Sequence, residues 1–177
     1  LDELATKLEK FSYRVLKEDC LDLPPKVFTT RTVELSDEQH KMYVTMKKAA
    51  IAEHEGKIMS SMSALTTLLR LHQITCGTFK ADDGTITPLK NNRLTSLMEC
   101  LEEIEGKVII WATYREDIKN IVAALKKAYG DDSTVEYHGG VDATLRQDNI
   151  ALFQQKNSPA RYFVGNAQTG GYGITLT

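Results

Sequence analysis

Three groups of polar and glycine residues each follow a short apolar segment in the second half of the chain. Thr113-Tyr114-Arg115 follow residues 107–112, His138-Gly139-Gly140 follow residues 135–137, and residues 165–173 read Gly-Asn-Ala-Gln-Thr-Gly-Gly-Tyr-Gly. Hydroxyls, a guanidinium, an imidazole and glycine-exposed backbone N–H groups are all able to bind phosphate oxygens. If the apolar segments are parallel strands, the three groups share one sheet edge and predict a phosphate-contacting rim.

Each group also has an ordinary structural interpretation. A glycine cluster serves a tight turn as readily as a phosphate. His138 alone is typical of a hydrogen-bonded loop or core histidine, and Arg115 and Arg146 alone are typical of solvated surface charges. The sequence contains no GxxxxGK[ST] segment, so the chain cannot be a complete P-loop ATPase.

Helix and strand patterns alternate around these groups. Apolar spacing predicts a helix that stops at Gly106, a strand at 107–112, a helix closed by Gly130, a strand at 135–138, a helix from Asp142 to Phe153 and a strand at 162–164. The unbroken apolar run at 108–111 is typical of a parallel strand covered on both faces. We therefore predict an α/β fold with a parallel sheet and flanking helices.

The part of the chain before residue 90 is mainly helical in pattern. Thr- and Val-rich residues 27–35 predict a strand, and Ser36 with Gln39 forms a capping box for the helix that follows. The apolar stripe of a second helix, about 60–75, is too wide for a surface helix, which predicts burial between two layers. Asp83-Gly84 predicts a hairpin turn. We place the domain boundary here, with a connecting segment of one strand and two helices at 1–90 and a lobe at 91–177.

The composition limits the possible partners. The chain has 177 residues, 42% hydrophobic and 26% charged, with a net charge of -2. This composition suits one or two compact units and excludes nucleic-acid binding by bulk positive charge. No apolar run is long enough to predict a membrane span, so we expect an intracellular protein without a membrane partner.

In order and spacing, these segments resemble the Swi/Snf branch of the second helicase superfamily. Leu23-Pro24-Pro25-Lys26, residues 33–39 and Tyr43 are similar to its most specific signature, and Arg14 stands where an arginine-bearing helix ends. Residues 69–74 are similar to its leucine-arginine helix. Residues 108–114 resemble motif IV, Tyr137-His138-Gly139 with Arg146 and Phe153 resemble the next signature, and residues 170–176 resemble motif V.

This resemblance implies a truncated RecA-like lobe and assigns roles to its loops. The residues implied to contact DNA are Thr113, Tyr114, Arg115, His138, Gly139, Arg146, Gln168 and Gly170. Those implied to face the nucleotide are Gly171, Gly173 and Thr175. Thr175 stands where asparagine is usual and keeps a hydroxyl, whereas Ala167 stands where threonine is common and removes a side-chain donor. No catalytic residue and no metal ligand is implied in this chain.

The implied parent protein is an ATP-driven translocase or remodeller of double-stranded DNA. It would use ATP and Mg, contact the phosphate backbone, and pair this lobe with an N-terminal RecA-like lobe. We expect the chain alone to bind neither cofactor tightly and to be inactive, because motif VI, which carries an arginine finger, is also absent. A cytoplasmic or nucleoid location would suit a prokaryotic or viral source, and a nuclear one a eukaryote.

Three rival interpretations remain open at this point. The chain is compatible with the second lobe of an RNA or repair helicase, with a Rossmann-like enzyme, or with a non-enzymatic interaction module. A Rossmann-like enzyme would place its glycine loop after the first strand rather than after the last.

Overall fold

The computed structural model describes residues 7–8, 11–13, 15, 25–54, 61–81, 83–171, 174 and 176, without the side chains of residues 49–54 and 61–63. The chain forms two compact units, Leu1–Thr32 and Val33–Thr177. In the first unit, the backbone N–H groups of Phe11 and Ser12 both donate to the Leu8 carbonyl at 2.9 Å. Arg14, Leu23 and Pro24 lie outside the described residues. The domain boundary at residue 90 stays a prediction.

Two helices open the second unit, α1 at Asp37–His54 and α2 at Ser61–Thr75. The predicted capping box is present, since Gln39 N–H donates to Ser36 Oγ at 3.2 Å and Ser36 N–H donates to Gln39 Oε1 at 3.1 Å. Gln39 is also buried, and its Nε2 donates to the carbonyls of Ile74 at 2.7 Å and Thr75 at 3.3 Å. One glutamine therefore closes the start of α1 and fixes it to the end of α2.

The burial predicted for α2 is wrong on one of its faces. Leu65 is 62% exposed and Leu68 is 64% exposed, whereas Ile74 is fully buried. The helix packs against α1 and against strand β1, at Thr78–Lys80. Within the described part of the chain no second layer covers the opposite face. A wide apolar stripe indicates that a surface needs a cover but cannot supply one.

A hairpin follows α2, as the Asp83-Gly84 pair predicts. Strand β1 pairs antiparallel with β2, at Ile86–Pro88. Gly84 has a φ of +88°, a conformation that favours glycine, and Thr85 N–H donates to Asp83 Oδ1 at 2.8 Å. The strand predicted at 27–35 is not formed. A strand needs a neighbour, and every strand in the described ranges pairs elsewhere.

The rest of the second unit alternates helices and strands. Its elements are α3 at Asn92–Glu102, β3 at Val108–Trp111, α4 at Arg115–Tyr129, β4 at Thr134–Tyr137, α5 at Ala143–Gln154, β5 at Tyr162–Gly165 and the short α6 at Ala167–Gly170. A single 3-10 turn at Asp131–Ser133 precedes β4. The Asp142 side chain caps α5 by accepting from Thr144 N–H at 2.8 Å, as predicted.

The three long strands form one parallel sheet in the order β3-β5-β4. Val108 and Thr134 both pair with Tyr162, so the strands start level with one another. Helices α3 and α4 pack on the face that carries Ile110, Tyr162 and Val164. Helix α5 packs on the other face through Phe153 and Phe163. The predicted α/β class, with a parallel sheet and flanking helices, is confirmed.

The prediction that β3 is covered on both of its faces is wrong for one face. Ile109 is 39% exposed and Trp111 is 43% exposed, while Ile110 between them is buried. The sheet order explains the difference, because β5 is central and β3 lies at an edge. Helix α5 covers the β4 and β5 side of that face. An unbroken apolar run does not distinguish a central strand from an edge strand that is covered well on one face only.

Two basic side chains hold the end of the sheet opposite the loops. Arg161 donates to the carbonyls of Leu101, Ile104 and Gly106, where α3 ends. Lys107 donates to the carbonyls of Phe153 and Gln155 at the end of α5. These bonds satisfy carbonyls that a helix end leaves without intrahelical partners. Among the described helices, none has the length and apolarity that crossing a membrane requires.

Candidate nucleic-acid and nucleotide interface

The three loops that follow β3, β4 and β5 lie at one edge of the sheet. The parallel register sets Trp111 and Tyr137 on either side of Gly165, so all three strands end at the same level. The loop after β3 therefore stands beside the loop after β5, with the loop after β4 on the far side. This convergence is the geometry that the strand pattern predicts.

Asn166 joins the loops after β3 and β5. Its Nδ2 donates to the carbonyls of Ala112 at 3.2 Å and Thr113 at 2.7 Å. Its Oδ1 accepts the Gln168 N–H at 2.8 Å and so caps α6. Our sequence assignments do not include this residue. Its signal is an asparagine directly after a strand and before a short helix, which is a common N-cap position.

Arg115 lies over the glycine pair of the loop after β4. A Cβ placed on Gly139 would be 3.6 Å from Arg115 Nη2, and one placed on Gly140 would be 3.7 Å from Arg115 Nη1. Thr169 Oγ1, from the loop after β5, would be 3.9 Å from the same Gly139 position. Arg115 is exposed. An accessible guanidinium, a hydroxyl and glycine backbone from three loops thus come together, and Thr169 is a member that our sequence assignments omit.

His138 is buried and has a protein partner at each ring nitrogen. Its Nδ1 accepts the Gly140 N–H at 3.0 Å, and its Nε2 lies 3.4 Å from Glu136 Oε2. This pattern assigns the proton of the neutral ring to Nε2. A Cβ on Gly140 would lie 2.9 Å from His138 Cε1, so the loop needs glycine there. The geometry favours the structural interpretation, in which His138 shapes the loop.

Arg146 stacks on the ring of Tyr137, the last residue of β4. Its guanidinium lies 5.6 Å from the centroid of the Tyr137 ring. The side chain is partly buried, and its Nε is buried without a hydrogen-bond partner among the described residues. Arg146 thus differs from Arg115, which is exposed at the rim.

Gly170 and Gly171 are required by local packing. A Cβ on Gly170 would lie 2.7 Å from Trp111 Cη2, and one on Gly171 would lie 2.4 Å from the Ala167 carbonyl oxygen. Real Cβ atoms do not approach other atoms this closely, so a larger residue would have to displace the Trp111 ring at Gly170 or the backbone of α6 at Gly171, whatever these positions bind. Gln168 is exposed between the loops. Gly173 and Thr175 lie outside the described residues.

Tyr114 faces away from the rim toward α2. Its hydroxyl lies 2.8 Å from His72 Nδ1, and the two rings are 5.4 Å apart. Burial raises the pKa of the Tyr114 phenol. Burial also raises the pKa of Asp117, in the first turn of α4, against the opposing influence of Arg93 and His72. Thr113 is exposed. Of the residues assigned to the loop after β3, Thr113 and Arg115 are thus the accessible ones.

The described residues contain no group of three or more His, Cys, Asp or Glu side chains able to hold a metal ion. Together with the lack of a GxxxxGK[ST] segment, this means that the described residues do not fit a complete site for Mg and the terminal phosphates of a nucleotide.

No family model matches the chain, and comparison with curated sequences finds a distant relative. The relative is an uncharacterised ATP-dependent helicase of Mycoplasma genitalium, 28% identical over 176 residues. The match covers 96% of this chain but only 16% of the relative's length.

Two solved structures from Sulfolobus solfataricus are similar in fold. The C-terminal domain of a SWI2/SNF2 ATPase has a TM-score of 0.63 at 24% identity, covering 81% of this chain and 64% of that one. The core domain of a SWI2/SNF2 ATPase has a TM-score of 0.66 at 26% identity, covering 99% of this chain and 38% of that one. The chain therefore spans less than two thirds of the length of each of these three proteins.

Proposed function

The chain resembles the SWI2/SNF2 ATPases in sequence and fold, and from that premise we propose that it supplies the second motor lobe of an ATP-driven translocase on double-stranded DNA. The resemblance predicted from the sequence and the RecA-like fold are both confirmed by these similarities. The observation that carries the proposal is the meeting of Arg115, Thr169 and the Gly139 backbone at one accessible sheet edge.

The rim is suited to phosphate and sugar rather than to base edges. A guanidinium and a hydroxyl above bare backbone can bind phosphate oxygens from a duplex of any sequence. The net charge of -2 means that such contacts must be local. We propose Arg115, Thr113, Gly139 and Gln168 as the contacts of this rim, together with Thr169. His138 and Gly170 would hold its shape, and Arg146 would support it through Tyr137.

The nucleotide would lie beside the segment that continues from α6. Gly171, Gly173 and Thr175 are proposed to face its ribose, as the resemblance implies. The Mg ion and the terminal phosphates would be held by the N-terminal RecA-like lobe of the parent protein, because the described residues do not fit that role. When bound, ATP would supply the free energy for translocation.

Salt-dependent binding to a DNA duplex tests the proposal. Affinity of the chain for a labelled duplex, followed by fluorescence anisotropy, should fall as salt rises because phosphate contacts release counterions. Arg115→Ala should weaken binding and lower the slope of log affinity against log salt by about 1. Lys127→Ala is the matched control, since this exposed cation lies in the last turn of the same helix. It should leave the slope unchanged.

Three outcomes would remove the proposal. Equal slopes for Arg115→Ala and the unsubstituted chain would exclude Arg115 from the interface. Equal losses in Arg115→Ala and Lys127→Ala would indicate nonspecific charge binding. Tighter binding to duplex RNA than to duplex DNA would favour an RNA helicase lobe instead.

Replacing glycines of motif V does not separate a motor from an interaction module on its own. A bulky residue at Gly171 would strike the Ala167 carbonyl and distort α6 even in a protein that binds no nucleotide. The Arg115→Ala comparison is cleaner, because its exposed side chain can be shortened without disturbing the core.

A further inference from the structure

A hydrogen bond joins α2 to the loop after β3. His72, in the last turn of α2, and Tyr114, directly before α4, are 42 residues apart in the sequence. Their Nδ1 and Oη atoms are 2.8 Å apart and their rings are inclined by 56°. This contact joins the helical pair α1 and α2 directly to the rim.

Further polar groups lie near His72, which is itself exposed. Its Nε2 lies 4.0 Å from Cys76 Sγ, which is buried one turn further along the chain. Asp117 and Arg93 interact electrostatically in the same region, since His72 and Arg93 oppose the burial that raises the pKa of Asp117. His72 thus has polar neighbours at the end of α2 and on α4.

The loop that contains Tyr114 is held on two sides. Asn166 fixes the carbonyls of Ala112 and Thr113 from the side of β5. His72 fixes the Tyr114 side chain from the side of α2. Tyr114 occupies the N-cap position of α4 and makes no side-chain hydrogen bond to the helix start. Its hydroxyl bonds to His72 of α2. Arg115 follows directly in the sequence, and its guanidinium lies over Gly139 and Gly140.

We propose that Tyr114 and His72 are a positioning pair that aims Arg115 and couples the α1 and α2 helices to the nucleic-acid rim. This inference rests on the proposed function for its DNA readout. Tyr114 acts through His72 rather than by touching nucleic acid. Movement of α2 relative to the sheet would therefore change the affinity of the rim, although α2 itself makes no contact there.

A double-mutant cycle on duplex affinity separates positioning from direct contact. Tyr114→Phe and His72→Leu should each weaken binding by about two- to tenfold, the range of one hydrogen bond. The double variant should be no weaker than either single variant, because both remove the same bond. The salt slope should not change in any of them, since no phosphate contact is lost. His72→Asn, whose amide can replace Nδ1, should retain most of the affinity.

The inference is overturned if the affinity losses of the two single variants multiply in the double variant. If Tyr114→Phe weakens binding as much in the His72→Leu background as in the unsubstituted chain, Tyr114 touches DNA itself. Full affinity in Tyr114→Phe would also overturn it.

Amide hydrogen exchange without DNA tests the pair independently of the proposed function. Tyr114→Phe should accelerate exchange in residues 113–116 and also in residues 72–76 at the end of α2. The control is Tyr13→Phe, an exposed tyrosine in the first unit, which should change neither segment. Unchanged exchange in both segments of Tyr114→Phe rejects the pairing. If the chain binds no DNA, the proposed function fails, and hydrogen exchange still decides whether the pair couples the two segments.

Discussion

Single side chains at the rim divide into those open to a ligand and those engaged by the protein. Arg115 is exposed over two glycines, whereas His138 uses one ring nitrogen within its own loop and the other toward Glu136 of β4, and Tyr114 bonds to His72. All three were assigned to DNA from the resemblance, and that assignment stays a prediction. In the proposed function, Arg115 would contact the nucleic acid, and His138 and Tyr114 would hold the contacts in place.

Tyr162 is the residue whose titration should be visible in the stability of the protein. It is fully buried, and burial together with the neighbouring Tyr129 raises the pKa of its phenol to about 12, against the opposing charge of Arg161 above its ring. The raised folded-state pKa means that the neutral phenol stabilises the fold fully below pH 10.0, the unfolded value. That contribution should be lost as the pH rises from the unfolded toward the folded value.

Denaturant unfolding across this alkaline range checks the expectation. The free energy of unfolding should decline with pH, and Tyr162→Phe should flatten the decline because the variant cannot ionise. Tyr13→Phe, which removes an exposed phenol, should keep it. The same decline in Tyr162→Phe and the unsubstituted protein would show that other groups cause it.

Elements in this protein are joined by single polar side chains that reach between them. Asn166 joins two loops, Arg161 closes the end of α3, and Gln39 joins the start of α1 to the end of α2. Each satisfies backbone groups that a helix end or loop would otherwise leave unpaired. Trp111 adds an apolar contact between the sheet and α6, because Gly165 and Gly170 leave room for its ring.

Among these side chains, Gln39 is the one that joins α1 to α2, and we expect its removal to lower the free energy of unfolding. Gln39→Met keeps the length of the side chain but removes one half of the capping box and the bonds to Ile74 and Thr75. We expect unfolding to become about 2–3 kcal/mol easier, because buried carbonyls lose their donor. Chemical denaturation measures this loss. The exposed Gln147→Met on α5 is the control and should change stability by less than about 0.5 kcal/mol. Equal losses would mean that the cost is not due to burial.

At the scale of the whole molecule, the proposed function predicts that this chain forms only one side of a nucleotide site. Its sequence has no GxxxxGK[ST] segment, and its described residues contain no acidic cluster for a metal ion. It also matches 38% of a SWI2/SNF2 core domain and 16% of a helicase. These facts are consistent with a lobe that works against another lobe.

The purified chain should therefore hydrolyse no ATP above the buffer rate, with or without duplex DNA. A longer parent protein that contains the N-terminal lobe should show hydrolysis stimulated by duplex DNA. Phosphate release measured across the chromatographic peak is the check. Activity that co-elutes with the 177-residue chain would contradict the half-site interpretation.

Local patterns determined the features that depend on neighbours in sequence. The capping box at Ser36, the turn at Gly84, the cap at Asp142 and the alternation that specifies a parallel sheet could all be read from the chain. Each depends on residues only a few positions apart, where periodicity and turn chemistry act.

Tertiary structure alone decided which surfaces are covered and which side chains meet. The edge position of β3 exposes Trp111, and the lack of a second layer among the described residues exposes Leu68. Residues 27–35 form no strand because no strand in the described ranges pairs with them. It also brought His72 to Tyr114 and Arg115 to Gly139. A residue is buried, or a strand is paired, only when a second segment packs against it. The pattern of one segment therefore shows that it needs a partner but not whether a distant segment provides one.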